Sequence, residues 1–331
     1  MGQFLDGMGI FFRDNSKLTD LDFGGFDIGH ESACNLALAL GRSQHKYDDI
    51  SLDTNLSDES VAEIVNSLTA QSQLKRLCFS NNNLSRHACV ALENTFTRWH
   101  APSLKELDLD HNAIDDKGLL SLVSGLKNCH NLSWLNLMGN PLSAAGMRSL
   151  GELFQTCPLR ELMLQGANIG DDGVIALADA LKGNKSLKHL RFNPVMAGIT
   201  DVGWKAFSDL LCDTHDINST YLSNHTLETV GFHDNKDAPH CVAQYLATNN
   251  YCREDTALYK MLRCHPDFDM HPFFQWSLMF LPLVIEWFEQ AGKSRFGSNE
   301  IYLHLLENRK LSAVYQFIRE FHVLVRRGYQ A

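Results

Sequence analysis

The chain has 331 residues, enough for two or three ordinary domains or for one elongated repeat array. Its hydrophobic content of 44% is ample for a packed core, and eight prolines and 22 glycines do not indicate disorder. A net charge of −10 argues against a general nucleic-acid binder, which needs a basic surface to displace counterions, and leaves room for basic protein partners.

Residues 1–17 are predicted to form a partial repeat or a cap helix at the N-terminus. Met8 and Phe12 stand ten and six places before Leu18. Two helical leucines in the middle of the chain stand at the same distances before the next leucine-rich segment. The spacing indicates that the chain starts inside the helix of a preceding repeat. Residues 1–17 are then either an improvised cap or the remnant of a longer reading frame.

From residue 18 onward, a segment of the form L-x-x-L-x-L returns every 27 to 30 residues, and a degenerate last copy follows after a gap of 40. We number these copies one to eight by their first residues, which are Leu18, Tyr47, Leu74, Leu104, Leu132, Leu159, Leu187 and Leu227. An asparagine follows the segment in five copies, at Asn55, Asn82, Asn112, Asn140 and Asn235. Phe26, Ala167 and Val195 replace it elsewhere.

Each copy changes from a strand-like to a helix-like hydrophobic period. In copy four, Leu107 and Leu109 alternate with polar residues, as in a strand with one buried face. Leu122 and Leu126 lie four residues apart, as on one face of a helix. A small residue recurs at the start of each helix, at Ser32, Ser60, Ala88, Gly118, Gly146, Gly173 and Gly203. We expect these small residues to permit close helix packing, and the asparagines to satisfy backbone groups of the turn.

This pattern resembles the leucine-rich repeat of the ribonuclease-inhibitor type and covers residues 18–250, about eight copies. The resemblance implies an α/β fold, a curved solenoid with parallel strands on its concave face and helices on its convex face. Stacking is required because a single repeat cannot bury enough apolar surface to offset its ordering entropy. The motif specifies architecture and says almost nothing about activity.

Two later segments depart from the repeat. Residues 212–226 are predicted to be a long polar loop, either a surface insertion or a binding loop. Residues 251–331 are predicted to form an α-helical C-terminal cap, with apolar segments at 271–291 and 309–325. A partner-docking helix is the alternative. This tail is similar to the ends of uncharacterised repeat proteins of diatoms and related algae. Its uninterrupted apolar run, 278–285, is too short for a membrane span, so no membrane association is expected.

The sequence contains no catalytic, metal-binding or cofactor-binding motif. Residues 289–294, EQAGKS, end like a phosphate-binding loop, but Trp287 occupies the place of the required glycine. Nine single cysteines without a Cys-x-x-Cys pair are typical of reduced, buried thiols in a cytoplasmic or nuclear protein. We therefore expect a protein that is not an enzyme and that holds no metal and no cofactor.

The outward strand positions predict a binding surface on the concave face. They carry eight carboxylates against two arginines, and such a surface focuses its field on an oppositely charged partner. Trp134 lies next to the acidic positions and is expected to anchor a partner. The predicted contact residues are Asp20, Asp22, Asp49, Asp53, Arg76, Glu106, Asp108, Asp110, Trp134, Met138, Glu161 and Arg191.

The predicted function is a non-enzymatic protein–protein interaction scaffold that binds a basic protein segment. One alternative is that the acidic strand face is merely solvated and serves solubility, and a binding site would then lie on the convex helices or in residues 212–226. Another is a regulator of a small GTPase resembling the Ran GTPase-activating protein, with Arg86 as the loop arginine. The sensor part of an immune-type receptor is a third, although this sequence shows no nucleotide-binding domain. The oligomeric state stays open.

Overall fold

The computed structural model describes residues 18–43, 45–231, 235–252 and 256–265. Short strands alternate with helices throughout these ranges, as the repeat predicts. The strands are β1 (Asp20–Asp22), β2 (Asp49–Ser51), β3 (Arg76–Cys78), β4 (Glu106–Asp108), β5 (Trp134–Asn136), β6 (Glu161–Met163), β7 (His189–Arg191) and β8 (Thr229–Val230).

The helices follow the strands of copies one to seven and continue beyond the last insertion. They are α1 (His30–Arg42), α2 (Asp58–Ser67), α3 (Arg86–Trp99), α4 (Asp116–Leu126), α5 (Ala144–Thr156), α6 (Gly170–Ala180), α7 (Asp201–Leu211), α8 (Ile217–Leu222), α9 (His240–Cys252) and α10 (Thr256–Cys264). A single 3-10 turn, Leu68–Ala70, extends α2.

All eight strands form one sheet, in which each strand pairs in parallel with the next strand along the chain. Equivalent positions of the repeat pair with one another, so Leu77 of β3 lies opposite Leu107 of β4, and Leu107 opposite Leu135 of β5. This register confirms the repeat alignment. The sheet lines the concave side of a curved α/β solenoid, and the helices cover its convex side.

The core is one continuous layer between the sheet and the helices. Leu107 and Leu109 of the strand segment and Leu122 and Leu126 of α4 are fully buried, as predicted for copy four. Equivalent leucines of the neighbouring copies join the same cluster from Leu21 to Leu246. Each repeat thus buries both of its flanks against its neighbours.

Asparagines satisfy backbone groups of the turns, as predicted, and they also form a ladder that connects consecutive repeats. Asn112 accepts hydrogen bonds from the backbone N–H of Asn82 and Leu84, at 3.1 and 2.9 Å. Its amide donates to the carbonyls of Phe79 and Leu109, at 2.9 and 3.0 Å. The side chain therefore satisfies backbone groups of two copies at the edge where the strand ladder stops.

Two of the five asparagines lie outside this ladder. Among the described residues, the Asn235 side chain bonds only its own copy, where it accepts from the backbone N–H of Val230 at 2.9 Å and donates to the carbonyl of Glu228 at 3.0 Å. The other is Asn55. Asn55 is exposed and has a left-handed backbone conformation with φ of 55°. Copy two is one residue shorter at this turn, and Thr54 occupies the buried ladder position at 2% exposure. The backbone N–H of Thr54 donates to Asn82 Oδ1 at 3.2 Å. The one-residue deletion shifts the equivalent position by one place.

Aspartates at the helix N-termini provide a second set of links between repeats. Asp58 of α2 accepts hydrogen bonds from the backbone N–H and the hydroxyl of Ser85, the N-cap residue of α3, at 2.8 and 2.5 Å. The same arrangement occurs three times, and we name these contacts the capping pairs: Asp58–Ser85, Asp116–Ser143 and Asp171–Thr200. They join copy two to copy three, copy four to copy five, and copy six to copy seven.

The small residue at the start of each helix leaves room for these links, as predicted. A methyl group on Gly146 would lie 2.5 Å from Asp116 Oδ1, and one on Gly203 would lie 2.6 Å from Asp171 Oδ1. These distances are shorter than any van der Waals contact. The glycines therefore allow the aspartate of one repeat to reach the helix of the next.

The array departs from the predicted organisation near its C-terminal end. Residues 212–226 are not a simple loop, because they contain α8, whose N-cap Asp216 accepts a hydrogen bond from the backbone N–H of Ser219 at 2.8 Å. Of the predicted cap, residues 251–331, only α10 and the end of α9 are described, and α10 packs against α8. The predictions for 1–17 and for 266–331, including the algal resemblance, lie outside the described residues.

Candidate protein-binding face

The in-register sheet places the twelve predicted contact residues on one surface, which we call the acidic face. Because equivalent positions pair, the residues form rows that run across the strands. The first row contains, in order, Asp20, Asp49, Arg76, Glu106, Trp134 and Glu161. Asp22, Asp108 and Arg191 lie in the second row, and Asp53, Asp110 and Met138 follow the strands.

Exposure varies along the acidic face. Asp20, Asp22 and Glu106 are exposed, and the other residues are partly covered by their neighbours. Asp108 is the exception, because only 9% of its surface is accessible. Cys78 and Ser80, which lie on the same side of copy three, are also buried. The outward strand positions are thus most open in copy one and least open in copy three.

Arg76 neutralises part of the acidic face. Its Nη1 lies 3.2 Å from Asp49 Oδ2 in the preceding strand, and its Nε lies 3.7 Å from Glu106 Oε2 in the following strand. The three residues are neighbours in the first row, so the pairing follows directly from the register. All three side chains stay partly open to solvent, where such pairs contribute little to stability.

Arg191 has the same role at the other end of the sheet. Its Nε forms an ion pair with Glu161 Oε1 in the adjacent strand. Three of the eight carboxylates are therefore paired with arginine. Within the described residues, the five carboxylates of this face without an ion-pair partner are Asp20, Asp22, Asp53, Asp108 and Asp110.

These five carboxylates form two groups. Asp20, Asp22 and Asp53 lie on copies one and two, and Asp108 and Asp110 lie on copy four. Arg76 separates the groups on copy three. The negative potential of the acidic face is therefore concentrated towards the N-terminal half of the array.

Asp108 differs electrostatically from the other carboxylates. Burial raises its pKa, and the neighbouring carboxylate of Asp110 raises it further. Hydrogen bonds from the backbone N–H of Asp110 and from Ser80, together with the charge of Arg76, act in the opposite direction. The carboxylates of copies one and two, which are more accessible, are therefore better placed than Asp108 to attract a cation.

Trp134, the expected anchor, is partly buried. It stands between Glu106 and Glu161 in the first row. Met138 follows the same strand and is also partly covered. A half-buried aromatic next to carboxylates suits both apolar contact and cation–π contact with a lysine or arginine side chain.

The other sequence predictions concern residues away from the acidic face. Arg86, proposed as a loop arginine, is the exposed first residue of α3. Among the residues that the structure describes, no group of three His, Cys, Asp or Glu side chains could hold a metal ion. In the same part of the chain, every helix lacks the length or the apolar character needed to cross a bilayer.

The sequence analysis missed a polar cluster where α10 meets the last repeats. Lys260 is 1% exposed, and its Nζ donates to the backbone carbonyls of Leu211 and Asn224, at 2.5 and 3.1 Å. Its Nζ also lies 3.3 Å from His225 Nδ1. Burial and the positive charge of Lys260 lower the pKa of His225 to about 4. No local pattern could reveal this cluster, because its members lie 35 to 49 residues apart.

The prediction of buried thiols holds for most of the described cysteines. The eight cysteines whose side chains the structure describes are free, and Cys78, Cys89, Cys129, Cys157 and Cys212 are buried. Cys34 and Cys264 are partly exposed, and Cys241 is exposed. The prediction is wrong for these three, which lie on α1, α9 and α10 outside the regular core positions.

Comparison with known proteins supports the repeat assignment. The family described as "Leucine Rich repeat" matches residues 100–123, 128–151 and 156–178. Each matched segment contains one strand and most of the helix that follows it, in copies four, five and six. The match therefore has the same period as the structural unit.

Two relatives carry similar repeats. The human NACHT, LRR and PYD domains-containing protein 5 is 29% identical over 222 residues, which cover 66% of this chain and 18% of that protein. The ribonuclease inhibitor of Sus scrofa is 30% identical over 148 residues, which cover 44% of this chain and 32% of the inhibitor. The chain thus spans less than a fifth of the first relative and about a third of the second.

Among solved structures, the actin-binding site 2 of leiomodin-1 aligns with a TM-score of 0.32 and 15% identity, over 57% of this chain and 76% of that one. A similarity of this size carries no argument about function. The sheet, the asparagine ladder and the family match together define a leucine-rich repeat protein. Its repeats of 27 to 30 residues, each with a full convex helix, are of the ribonuclease-inhibitor type.

Proposed function

We propose that this protein is a non-enzymatic scaffold that binds a basic segment of another protein on the acidic face. The observation that carries the proposal is the set of five carboxylates without an ion-pair partner on one side of one sheet. Strand side chains held in register by a continuous core form a rigid surface, so little ordering entropy is lost when a partner docks.

The distribution of charge suggests how a partner approaches. Asp20, Asp22 and Asp53 are the most accessible negative group and would dominate the long-range attraction. Exposed charges act mainly on the association rate, and ionic strength weakens them. Trp134, between two carboxylates in the first row, would act at short range and slow dissociation.

The test uses a variant that removes charge without changing shape. Asp20→Asn, Asp22→Asn and Asp53→Asn neutralise the accessible group, and Trp134→Ala removes the aromatic anchor. A matched control carries Glu31→Gln, Glu63→Gln and Asp172→Asn, which remove three exposed carboxylates from the helices. Wild type, both variants and the control are first used as baits in the source cells, and co-purifying proteins are identified by mass spectrometry.

A true partner should be retained by the wild type and the control and depleted from the triple aspartate variant. With the purified partner, the triple variant should associate at least tenfold more slowly at low salt and show a weaker salt dependence. Trp134→Ala should dissociate faster. Equal binding by all four proteins would exclude the acidic face and move the site to the convex helices or to residues 212–226.

The proposed function also implies a cellular compartment for the protein. Free cysteines among the described residues, five of them buried, suit a reducing environment. We place the protein in the cytoplasm, with the nucleus as the alternative. Localisation of a tagged full-length chain would distinguish these compartments from a secretory route.

A further inference from the structure

A pair of cysteines joins the repeat array to the helix that follows it. Cys212 is the C-cap residue of α7, and Cys264 is the last residue of α10. Their Sγ atoms lie 3.5 Å apart, although 52 positions separate them along the chain. Both residues occupy helix ends, where the backbone has more freedom to adjust than in a helix interior. A disulfide of about 2.05 Å needs the sulfur atoms to approach by roughly 1.5 Å.

The two thiols differ in accessibility. Cys212 is 3% exposed, whereas Cys264 is partly open to solvent. A dissolved reagent therefore reaches Cys264 first. Cys212 Sγ lies 3.5 Å from Cys264 Sγ, close enough to attack a modified Cys264. Attacking and resolving cysteines have this arrangement in dithiol sites generally.

The surroundings stabilise a thiolate on Cys264. The thiol of Cys212 and the hydroxyl of Tyr245, whose oxygen is 3.9 Å from Cys264 Sγ, act as donors to it. His265 and Arg263 add positive charge nearby. The pKa of Cys264 is lowered to about 6, mainly by the hydrogen bond from Cys212, and the pKa of Cys212 is raised by the same contact.

We propose that Cys212 and Cys264 form a redox-active dithiol, which a low-molecular-weight disulfide such as oxidised glutathione converts to a disulfide that fixes α10 to the end of the repeat array. The Cys264 thiolate attacks one sulfur of the reagent, so that a mixed disulfide forms and one thiolate leaves. Cys212 then attacks Cys264 Sγ and releases the second thiol. Two cysteine thiols are oxidised, one reagent disulfide is reduced to two thiols, and the two cysteine protons end on them.

The disulfide would lie at the end of α10, directly before residues 266–331. Non-covalent contacts hold α10 to the preceding repeats, among them the buried Lys260 bonds and a 2.8 Å contact between Thr220 Oγ1 and His265 Nε2. Oxidation adds a covalent link at the end of the same helix. Undocking of α10 then requires reduction.

The experiment uses the full-length chain. Reduced protein is incubated with oxidised glutathione under native conditions, and peptide mapping without reduction assigns the linkages among its nine cysteines. The expected product is a Cys212–Cys264 disulfide. The oxidised protein should melt roughly 3–8 °C above the reduced protein, because the bond closes a long loop and restricts the unfolded chain. A reductant should reverse the shift.

Three variants make the result decisive. Cys241→Ser removes the exposed cysteine of α9 and should leave the cross-link unchanged. Cys212→Ser should stop at a stable glutathione adduct on Cys264. Cys264→Ser should leave Cys212 unmodified. The proposal is overturned if wild-type protein with native circular dichroism takes glutathione mainly at Cys241 or Cys34, or if it shows no cross-link between Cys212 and Cys264.

Discussion

At the scale of single residues, side chains that join two repeats are the ones whose loss should be most damaging. Asn112 and Asn82 each bond backbone groups of their own copy and of the preceding copy. Lys260 links α10 to the last repeats, because its Nζ donates to the backbone carbonyls of Leu211 and Asn224. Such a side chain cannot be replaced by water, because the groups it serves are buried.

Asn112→Ala is expected to lower the free energy of unfolding by about 2–4 kcal/mol, because buried N–H and C=O groups lose their partner. Asn55→Gly is the matched control, because Asn55 occupies an exposed turn position outside the ladder. Glycine accepts a φ of 55° and Asn55 is exposed, so we expect a change below about 0.5 kcal/mol. Urea denaturation measures both values, and comparable losses in the two variants would contradict the ladder assignment.

His225 should make stability depend on pH. Its Nε2 donates to the carbonyl of Tyr221 at 3.0 Å and its Nδ1 accepts from Lys260, so the folded protein holds the neutral ring. The folded pKa is about 4, below the usual 6.5, so the unfolded chain binds this proton first as the pH falls. This stabilisation is present above pH 6.5 and is lost between pH 6.5 and 4.

The measurement compares melting temperatures of wild type and His225→Gln from pH 7.5 to pH 4. Glutamine keeps an acceptor for Lys260 and does not titrate. The wild type should lose more stability than the variant across this interval. Parallel curves for the two proteins would show that His225 does not titrate as described.

At the scale of helices and strands, the repeat is held by close contact between neighbouring helices. In two of the three capping pairs a glycine lies beneath the aspartate, and a methyl group on Gly146 or Gly203 would lie within 2.6 Å of the carboxylate. In the third pair, Asp58–Ser85, the equivalent small residue is Ala88. Helix propensity alone would favour alanine at the two glycine positions. Tertiary packing therefore outweighs local preference there.

Substitutions at two glycines of α5 distinguish the effect of close packing from the effect of helix propensity. Gly146→Ala should destabilise the protein by about 1–2 kcal/mol, because its methyl would displace the Asp116 carboxylate from Ser143. Gly151→Ala lies in the same helix, where a methyl meets Ala180 Cβ at an ordinary 3.7 Å. We expect that variant to be up to about 1 kcal/mol more stable, from helix propensity alone. Denaturation curves with the same sign of change for both would refute the close-contact explanation.

At the scale of the whole molecule, the sequence predicts the fold well because one periodic pattern determines every unit. Hydrophobic spacing located eight strands and seven helices, and the register followed from their equivalence. The one-residue shift at Thr54 and the helix α8 were not predicted, since both interrupt the period. On the acidic face, the sequence placed the residues on one surface, but their burial and ion pairs depend on neighbours one repeat away.

Removing residues 266–331 tests the predicted C-terminal cap while leaving every described residue in place. The apolar segments at 271–291 and 309–325 need a surface, and the last repeat needs a cover. The truncated protein should aggregate, or melt over a broader range than the full chain. Size-exclusion chromatography and thermal denaturation measure both properties. A monodisperse truncation with an unchanged transition would argue against a cap.

The capping pairs also determine which deletions or duplications of repeats preserve the contacts between neighbouring copies. They join copy two to three, four to five and six to seven, each with aspartate on the even copy and serine or threonine on the odd one. Excision of copy three alone would set Asp58 against Asp115, the acidic N-cap of α4. Excision of two consecutive copies would restore an aspartate facing a hydroxyl. We therefore expect this protein to tolerate deletion or duplication of two consecutive repeats better than of a single repeat.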